Sequence, residues 1–461
     1  MNKIVLSCCV IPGLLGAQSN RPVVGAAPSF APPVMRTETV NGLRTTLVPY
    51  GTTPTARVEL VIRSGRATEL PDETGLSQLV ADYLLEGTTS RSGLEIAREL
   101  ASLGTVGGSL AITVGSHETV IGGEVLSESV PRLVALVGEI ALRPAFDSIP
   151  LERLRANLQR RSQVTAPATV AANKVNELLF PHDPADRIPS ARTLGSIDRI
   201  ALRRFHSREY VAARAHLYVA GVFDANAVAS AIRAAFAGMP LGTAADLLPS
   251  TQPRAVVPDT SPVVHLIDRP NATQTRIHVA FPVVDQNHPD HLVLNQLNVL
   301  MGSVQTSRII ANVRERRGYS YNISSRLIRR PGGTTWSIQG DVNREVTSAA
   351  LREILGELYR VVSEPPSAEE LGGFQRFMSG GNIVEMATSR GILEYLRYLE
   401  LYGEDAPRYL STLVANVHAV RPADLGRVVR TYIRPERRVI VLVGDAAAIE
   451  GELSTWARVV R

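Results

Sequence analysis

The chain has 461 residues, of which 44% are hydrophobic, and this is enough apolar sequence for two or more domains with their own cores. The formal charge of +5 comes almost entirely from dispersed arginines, and no basic tract is interleaved with aromatic residues, so a nucleic-acid-binding function is excluded. The only cysteines, Cys8 and Cys9, lie in an N-terminal segment that reads as a signal, so disulfides and thiol catalysis are excluded if this segment is cleaved.

The N-terminus has the order of a secretory signal. Residues 1–17 contain a basic residue, then an apolar run, then small residues that suit cleavage. We therefore predict a secreted protein, exported to the bacterial periplasm; the alternative is an N-terminus that is retained as an anchor. Residues 18–34 are rich in Pro, Ala and Gly and are predicted to be a flexible lead. No later apolar stretch is long enough for a membrane span in the mature chain.

The next part of the chain alternates between strand and helix patterns. Residues 57–62 alternate as a β-strand does, and the segment 75–88 then places apolar residues three to four positions apart, as in a core-facing helix. The apolar face of this helix consists of Leu76, Leu79, Val80, Tyr83 and Leu84. Further elements are predicted as strands at 109–113 and 118–125, a helix at 129–141 and a closing strand at 216–221.

The same order recurs in the second part of the chain, which indicates an internal repeat. Its elements are predicted as strands at 276–281, 321–327, 334–341 and 439–444, and helices at 291–301 and 346–362. The domains are predicted at 35–242 and 262–461, with 243–261 as a linker rich in Pro, Ala, Thr and Ser. We predict an α+β fold with two tandem homologous domains, each a mostly antiparallel sheet covered by helices on one face, that together form a half-shell.

The segment 75–88 reads G-L-S-Q-L-V-A-D-Y-L-L-E-G-T and resembles the zinc helix of the insulinase, pitrilysin and mitochondrial processing peptidase family. In the H-x-x-E-H motif of that family, two histidines four residues apart bind zinc and the glutamate activates the bound water. Gln78 and Asp82 stand in the places of the histidines, and Ala81 stands in the place of the glutamate. An amide and a carboxylate make a poor zinc site, and Ala81 cannot accept a proton.

The third zinc ligand of the family is also missing. It is a glutamate about 75 residues downstream, which falls in the segment A-N-L-Q at 156–159, where no carboxylate is present. The resemblance therefore implies a member with degenerate zinc-site positions at Gln78, Ala81 and Asp82 and with no metal of its own. The alternative is a mere amphipathic core helix, but the flanks R-S-G-R at 63–66 and E-G-T at 86–88 also resemble the family.

A second pair of segments resembles the same family. Residues 300–308 read L-M-G-S-V-Q-T-S-R and 313–321 read V-R-E-R-R-G-Y-S-Y, similar to L-G-G-x-x-x-S-R-L and L-R-E-x-x-G-x-x-Y. The resemblance implies that Arg314 and Tyr321 bind the substrate backbone, as donors to a peptide carbonyl or an oxyanion. Two other interpretations remain: Arg314 pairs with Glu315 or another surface carboxylate, and Tyr321 is a half-buried strand residue. Tyr319, on the same face of the predicted strand, is the competing tyrosine.

Other catalytic motifs are absent from the sequence. The glycine pairs do not have the G-x-x-x-x-G-K-[ST] order of a phosphate loop, and no G-x-S-x-G elbow supports serine hydrolysis. The nine histidines are scattered without the spacing of metal ligands.

We therefore expect the non-catalytic subunit of a secreted zinc metallopeptidase of the insulinase type. It would supply half of the peptide-binding chamber and the Arg314 and Tyr321 grip to an H-x-x-E-H partner chain in a heterodimer, with a homodimer as the other assembly. Zinc is expected only on the partner, and no peptidase activity is expected from this chain alone. The main alternative is a structural or assembly scaffold with the same fold and no peptidase partner. A third is an active peptidase with an unusual metal site.

Overall fold

The computed structural model describes residues 30–163, 166–181, 183–243, 263–331 and 333–461, which form two six-stranded sheets. The strands of the first sheet are β1 (Arg36–Val40), β2 (Leu43–Pro49), β3 (Thr55–Ile62), β4 (Ala111–Val114), β5 (Thr119–Leu126) and β6 (Ala215–Gly221). The strands of the second sheet are β7 (Val263–Asp268), β8 (Gln274–Val283), β9 (Ser324–Ile328), β10 (Thr334–Asn343), β11 (Val439–Gly444) and β12 (Arg458–Val460). The predicted signal segment, residues 18–29 of the predicted lead and residues 244–261 of the predicted linker lie outside the described residues, and the domain boundaries stay predictions.

The two sheets have the same strand order. The first runs β1-β2-β6-β3-β5-β4 and the second β12-β7-β11-β8-β10-β9, so only the first edge strand comes from a different place in the chain. Neighbouring strands are antiparallel except where β2 meets β6 and where β7 meets β11 and β12. This repeated arrangement confirms the α+β class with two similar, mostly antiparallel sheets.

Helices follow the strands in both halves. Those of the first half are α1 (Leu76–Tyr83), α2 (Gly93–Ser102), α3 (Val130–Leu142), α4 (Ser148–Ser162), α5 (Pro167–Leu179), α6 (Ala191–Ser196), α7 (Arg199–Glu209) and α8 (Ala225–Ala235). Those of the second half are α9 (Asp290–Asn298), α10 (Thr347–Ser363), α11 (Ala368–Met386), α12 (Ser389–Leu401), α13 (Ala406–Ala419), α14 (Pro422–Tyr432) and α15 (Ala446–Leu453). Two π-helical segments, Val299–Ser303 and Ile310–Arg316, follow α9. In the described part of the chain, no helix combines the length and apolarity needed to cross a membrane.

Each sheet is covered on both faces, once by helices of its own half and once by helices of the other half. On the first sheet, Val61 and Tyr218 share a buried cluster with Ile392 of α12 and Leu410 of α13. On the second sheet, strand β11 packs against α5 from the first half. The sequence pattern predicts helices on one face only. The second covering, an exchange between the halves, joins them through two hydrophobic clusters.

A buried polar network crosses the contact between the halves. Glu400 of α12 accepts hydrogen bonds from Arg63 Nη2 and His216 Nδ1 of the first half, both at 2.8 Å, and from the Tyr218 hydroxyl. Burial raises the pKa of Glu400, but the bond from His216 and the charge of Arg63 outweigh it and lower the pKa to about 2. The carboxylate is therefore ionised at neutral pH and fixes α12 on the first sheet.

Candidate functional site

Helix α1 has the frame of a zinc-peptidase helix. It begins after Gly75, whose φ of 95° is a left-handed conformation that glycine adopts without strain. The buried carboxylate of Glu69 accepts hydrogen bonds from Gly75 N at 2.9 Å and Ser77 N at 2.8 Å, which satisfies free donors at the helix start. The apolar face predicted for this helix is fully buried and anchors it in the first core. The polar positions 78 and 82 are therefore held in a fixed orientation.

The polar side chains at these positions bind each other. Gln78 Nε2 donates to Asp82 Oδ1 at 2.7 Å, and the guanidinium of Arg161 pairs with Asp82 Oδ2. Arg161 lies near the end of α4, which packs directly against α1. Arg161 thus supplies the positive charge next to Asp82. Sequence spacing does not predict this contact.

This place does not fit a zinc ion. Gln78 and Asp82 offer no imidazole, and the one carboxylate is already paired with a guanidinium. Asn157 of α4 lines the same cleft as Ala81 and Asp82, and its side-chain oxygen accepts from Arg160. Across the described residues, no three His, Cys, Asp or Glu side chains are grouped to hold a metal ion.

In the second half, Arg314 and Tyr321 lie next to each other. The guanidinium carbon of Arg314 is 4.6 Å from the centre of the Tyr321 ring, within the range of a cation–π contact. Arg314 also donates from Nη1 to Gln305 Oε1 at 3.0 Å. Both side chains line an open cleft of about 1220 Å³ between the 302–306 loop and the start of α11. We call this the Arg–Tyr cleft; the substrate role of its two residues stays a prediction.

The structure around Tyr321 differs from the strand that the sequence predicts. Residues 321–327 were predicted as a strand, but β9 begins at Ser324, and Tyr321 is 83% exposed rather than half-buried. The chain bends here because Ser320 Oγ donates to Asp341 O, and Asp341 N donates to Asn322 Oδ1, both at 2.8 Å. The prediction that Tyr319 shares a strand face with Tyr321 was therefore wrong: Tyr319 is partly buried against the second core.

The pairing of Arg314 with Glu315, weighed as an alternative, does occur. Arg314 Nε lies 3.3 Å from Glu315 Oε1, whose side chain is 60% exposed. Ion pairs between exposed side chains are worth about 0–1 kcal/mol. Because this pair is so weak, it does not prevent Arg314 from binding another acceptor in the cleft.

The fold and the site together define a peptidase-like protein that lacks the residues of a zinc centre. Residues 45–187 match the family description "Insulinase (Peptidase family M16)", and residues 196–376 match "Peptidase M16 inactive domain". The chain belongs to this insulinase family of peptidases. The "inactive domain" match covers residues 196–376 and not α1, so the loss of the zinc-binding side chains is seen at Gln78, Ala81 and Asp82 themselves.

Relatives and solved structures agree with this assignment. An uncharacterized zinc protease of Mycobacterium tuberculosis is 24% identical over 384 residues, 82% of this chain and 86% of that protein. The beta subunit of the mitochondrial-processing peptidase of Saccharomyces cerevisiae is 21% identical over 379 residues, 77% and 81% of the two chains. The crystal structure of a peptidase M16 inactive domain from Pseudomonas fluorescens superposes with a TM-score of 0.81 at 18% identity, covering 90% of this chain and 99% of that one. A Helicobacter pylori protease structure gives 0.81 at 14% identity, covering 89% and 99%.

Proposed function

We propose that this chain is the non-catalytic subunit of a secreted zinc metallopeptidase. It supplies half of a peptide-binding chamber, and its Arg–Tyr cleft holds the substrate backbone for a partner chain that carries an intact H-x-x-E-H motif. The observation that carries the proposal is a contrast within one chain. At the former zinc site the polar groups are paired with each other, whereas Arg314 and Tyr321 are presented together in an open cleft.

The chemistry of the two residues suits binding and not cleavage. A guanidinium and a phenol are fixed donors that bind a peptide carbonyl and stabilise the oxyanion that forms when the carbonyl is attacked. The ring of Tyr321 stacks on Arg314, which limits the orientations of the guanidinium. Neither group is suited to activate water, because a guanidinium has no acceptor and a phenol serves here as a donor. A zinc-bound water therefore has to come from another chain.

Two further observations support a partner. One relative is named as a subunit of a processing peptidase, so a protein similar to this one forms part of a multi-subunit enzyme. The chain also covers 99% of two solved structures, one named as a peptidase M16 inactive domain and one as a protease, so one chain of this size corresponds to one such unit. Secretion is proposed from the signal-like N-terminal residues.

The proposal is tested by capturing the tagged protein from its native host and identifying the chains that come with it. We expect a roughly equimolar companion with H-x-x-E-H, and chelator-sensitive peptide cleavage by the pair but not by this chain alone. Capture of a homodimer, or of a complex without such a companion and without cleavage, would contradict the proposal and favour the scaffold.

A further inference from the structure

A second cavity lies where helices of the second half meet the first half, away from both places described above. It has a volume of about 370 Å³ and is enclosed by α9, α11, α12 and α13, with Glu118 from the first half at one side. Small-molecule sites usually measure about 300–1,000 Å³, so this cavity has room for a ligand of dipeptide size. It shares no lining residue with the Arg–Tyr cleft.

Tyrosines form the walls of the cavity. Tyr395, Tyr398 and Tyr409 line it, and burial raises the pKa of each, so all three hydroxyls are neutral at physiological pH. The Tyr395 hydroxyl donates to Asn382 Oδ1 at 3.1 Å, and the Tyr398 hydroxyl donates to Gln286. The walls therefore offer aromatic faces together with fixed polar groups, which is the composition of a ligand site.

Charges of both signs line the same cavity. Glu385 and Glu394 belong to the lining, and neither carboxylate has an ion-pair or hydrogen-bond partner among the described residues. The guanidinium of Arg329 lies 5.3 Å from the Tyr398 ring centre, and its charge also acts on Tyr409. Both Glu385 and Arg329 act on the charge state of Tyr395. Carboxylates and a guanidinium therefore lie beside the tyrosines of one cavity.

The half-buried Arg397 also lines the cavity and carries a further donor. Its Nη1 binds Glu59 Oε2 of the first half at 2.9 Å, while its Nε is buried without a partner in the described part of the chain. Such an unpaired buried donor is costly unless a ligand or water binds it. Asn295, also in the lining, makes no side-chain hydrogen bond to another described residue. The cavity thus holds free donors and free acceptors together.

We propose that this cavity binds a short peptide with free ends, of dipeptide size. Glu385 and Glu394 bind its ammonium group, Arg329 and Arg397 bind its carboxylate, and the tyrosines contact the side chains between them. A neutral sugar would also stack on tyrosines, but it would leave two carboxylates and a guanidinium without counter-charges. The site is separate from the substrate grip and does not depend on the proposed function.

The test is calorimetric titration of the full-length protein with the dipeptide alanyl-phenylalanine. We expect saturable binding, and binding at least about tenfold weaker for the N-acetylated and the C-amidated forms, because each loses one charge-assisted contact. Maltose should not bind. No saturable binding of the free dipeptide, equal affinity for the blocked forms, or binding of maltose in its place would overturn the proposal.

Variants assign the two ends of the ligand. Arg329→Ala should remove the preference for the free carboxylate, and the double variant Glu385→Gln, Glu394→Gln should remove the preference for the free ammonium. Both glutamates are exposed, so the Gln variants are expected to fold. Arg326→Ala and Glu128→Gln, exposed residues outside the cavity, are the matched controls and should keep both preferences. Loss of dipeptide binding in Arg314→Ala, Tyr321→Ala would place the ligand in the Arg–Tyr cleft and overturn the proposal.

Discussion

The polar side chains of helix α1 in the first half are paired with each other, whereas those of the Arg–Tyr cleft in the second half are open to solvent. At α1, Gln78, Asp82 and Arg161 form a closed set in which each charge has a partner. In the cleft, Tyr321 remains 83% exposed and Arg314 has only weak ties to its neighbours. Side chains on a surface usually change stability by no more than about 0.5 kcal/mol, so folding alone does not require a tyrosine there. We propose on this difference that the first region serves structure and that the second serves binding.

The largest effect on stability is expected at Glu400, whose hydrogen bonds join the two halves of the molecule. Glu400→Ala removes the acceptor for Arg63, His216 and Tyr218 and leaves the buried Arg63 without one of its two carboxylates. Breaking a buried charge pair costs about 3–5 kcal/mol. Chemical denaturation should show this loss in the free energy of unfolding, and hydrogen exchange should rise in β6 and α12. A loss below 1 kcal/mol would mean that the halves do not depend on this network.

The next effect separates the two regions by activity. In the assembled pair, Arg314→Ala combined with Tyr321→Ala should lower kcat/KM for peptide cleavage by roughly 10²–10³, the usual cost of losing oxyanion donors. Arg317→Ala, an exposed arginine of the same segment that pairs with Glu353, is the control and should leave cleavage unchanged. Unaltered kinetics in the double variant would remove the gripping role from the account.

Lowering the pH should reduce the stability of the second half, which contains the Arg–Tyr cleft. Burial, with the charge of Arg276 as a smaller cause, lowers the pKa of His278 on β8 to about 4. Between pH 6.5 and 4 the unfolded chain therefore binds a proton that the folded protein does not, so stability falls as pH falls through this window. From pH 7 to pH 5 the contribution is about 2 kcal/mol. Denaturation of wild type and His278→Leu at both pH values checks this: the variant should lose about 2 kcal/mol less.

The smallest effect is expected at the degenerate zinc position. Asp82→Ala removes an ion pair in which the Arg161 side chain is 55% exposed, so the free energy of unfolding should fall by only about 0.5–1 kcal/mol. Peptide cleavage by the pair should not change. A large loss of cleavage in this variant would show that Asp82 has a catalytic use and would break the contrast between the two regions.

Much of the fold and of the site could be predicted from local sequence patterns. The alternation of β3 and β8, the apolar face of α1 and the repeat of element order were readable, since each depends on neighbours close in sequence. The helices that cross between the halves were not, because their contacts are distant in sequence. A signal for them exists in β11, which is apolar on both faces, as strands buried on both sides are.

The details of the sites depended on contacts that sequence spacing does not show. Arg161 lies 79 residues from Asp82 in the chain, and only the packing of α4 on α1 brings them together. Tyr321 falls outside β9 because its two neighbours, Ser320 and Asn322, are bonded to Asp341 on the adjacent strand, which holds the chain in a bend. The sequence does carry a signal for the cavity lined by Tyr395, Tyr398 and Tyr409, since four of the twelve tyrosines lie between residues 395 and 409.

The most direct test of the contrast is the zinc content of this chain, measured by mass spectrometry of the purified protein after dialysis against zinc and then buffer. We predict no stoichiometric zinc on the isolated chain, and in the assembled pair one zinc that stays when Gln78 and Asp82 are both replaced by Ala. One zinc per isolated chain, lost in the Gln78→Ala, Asp82→Ala variant, would contradict the account and show that the first half is still a metal site.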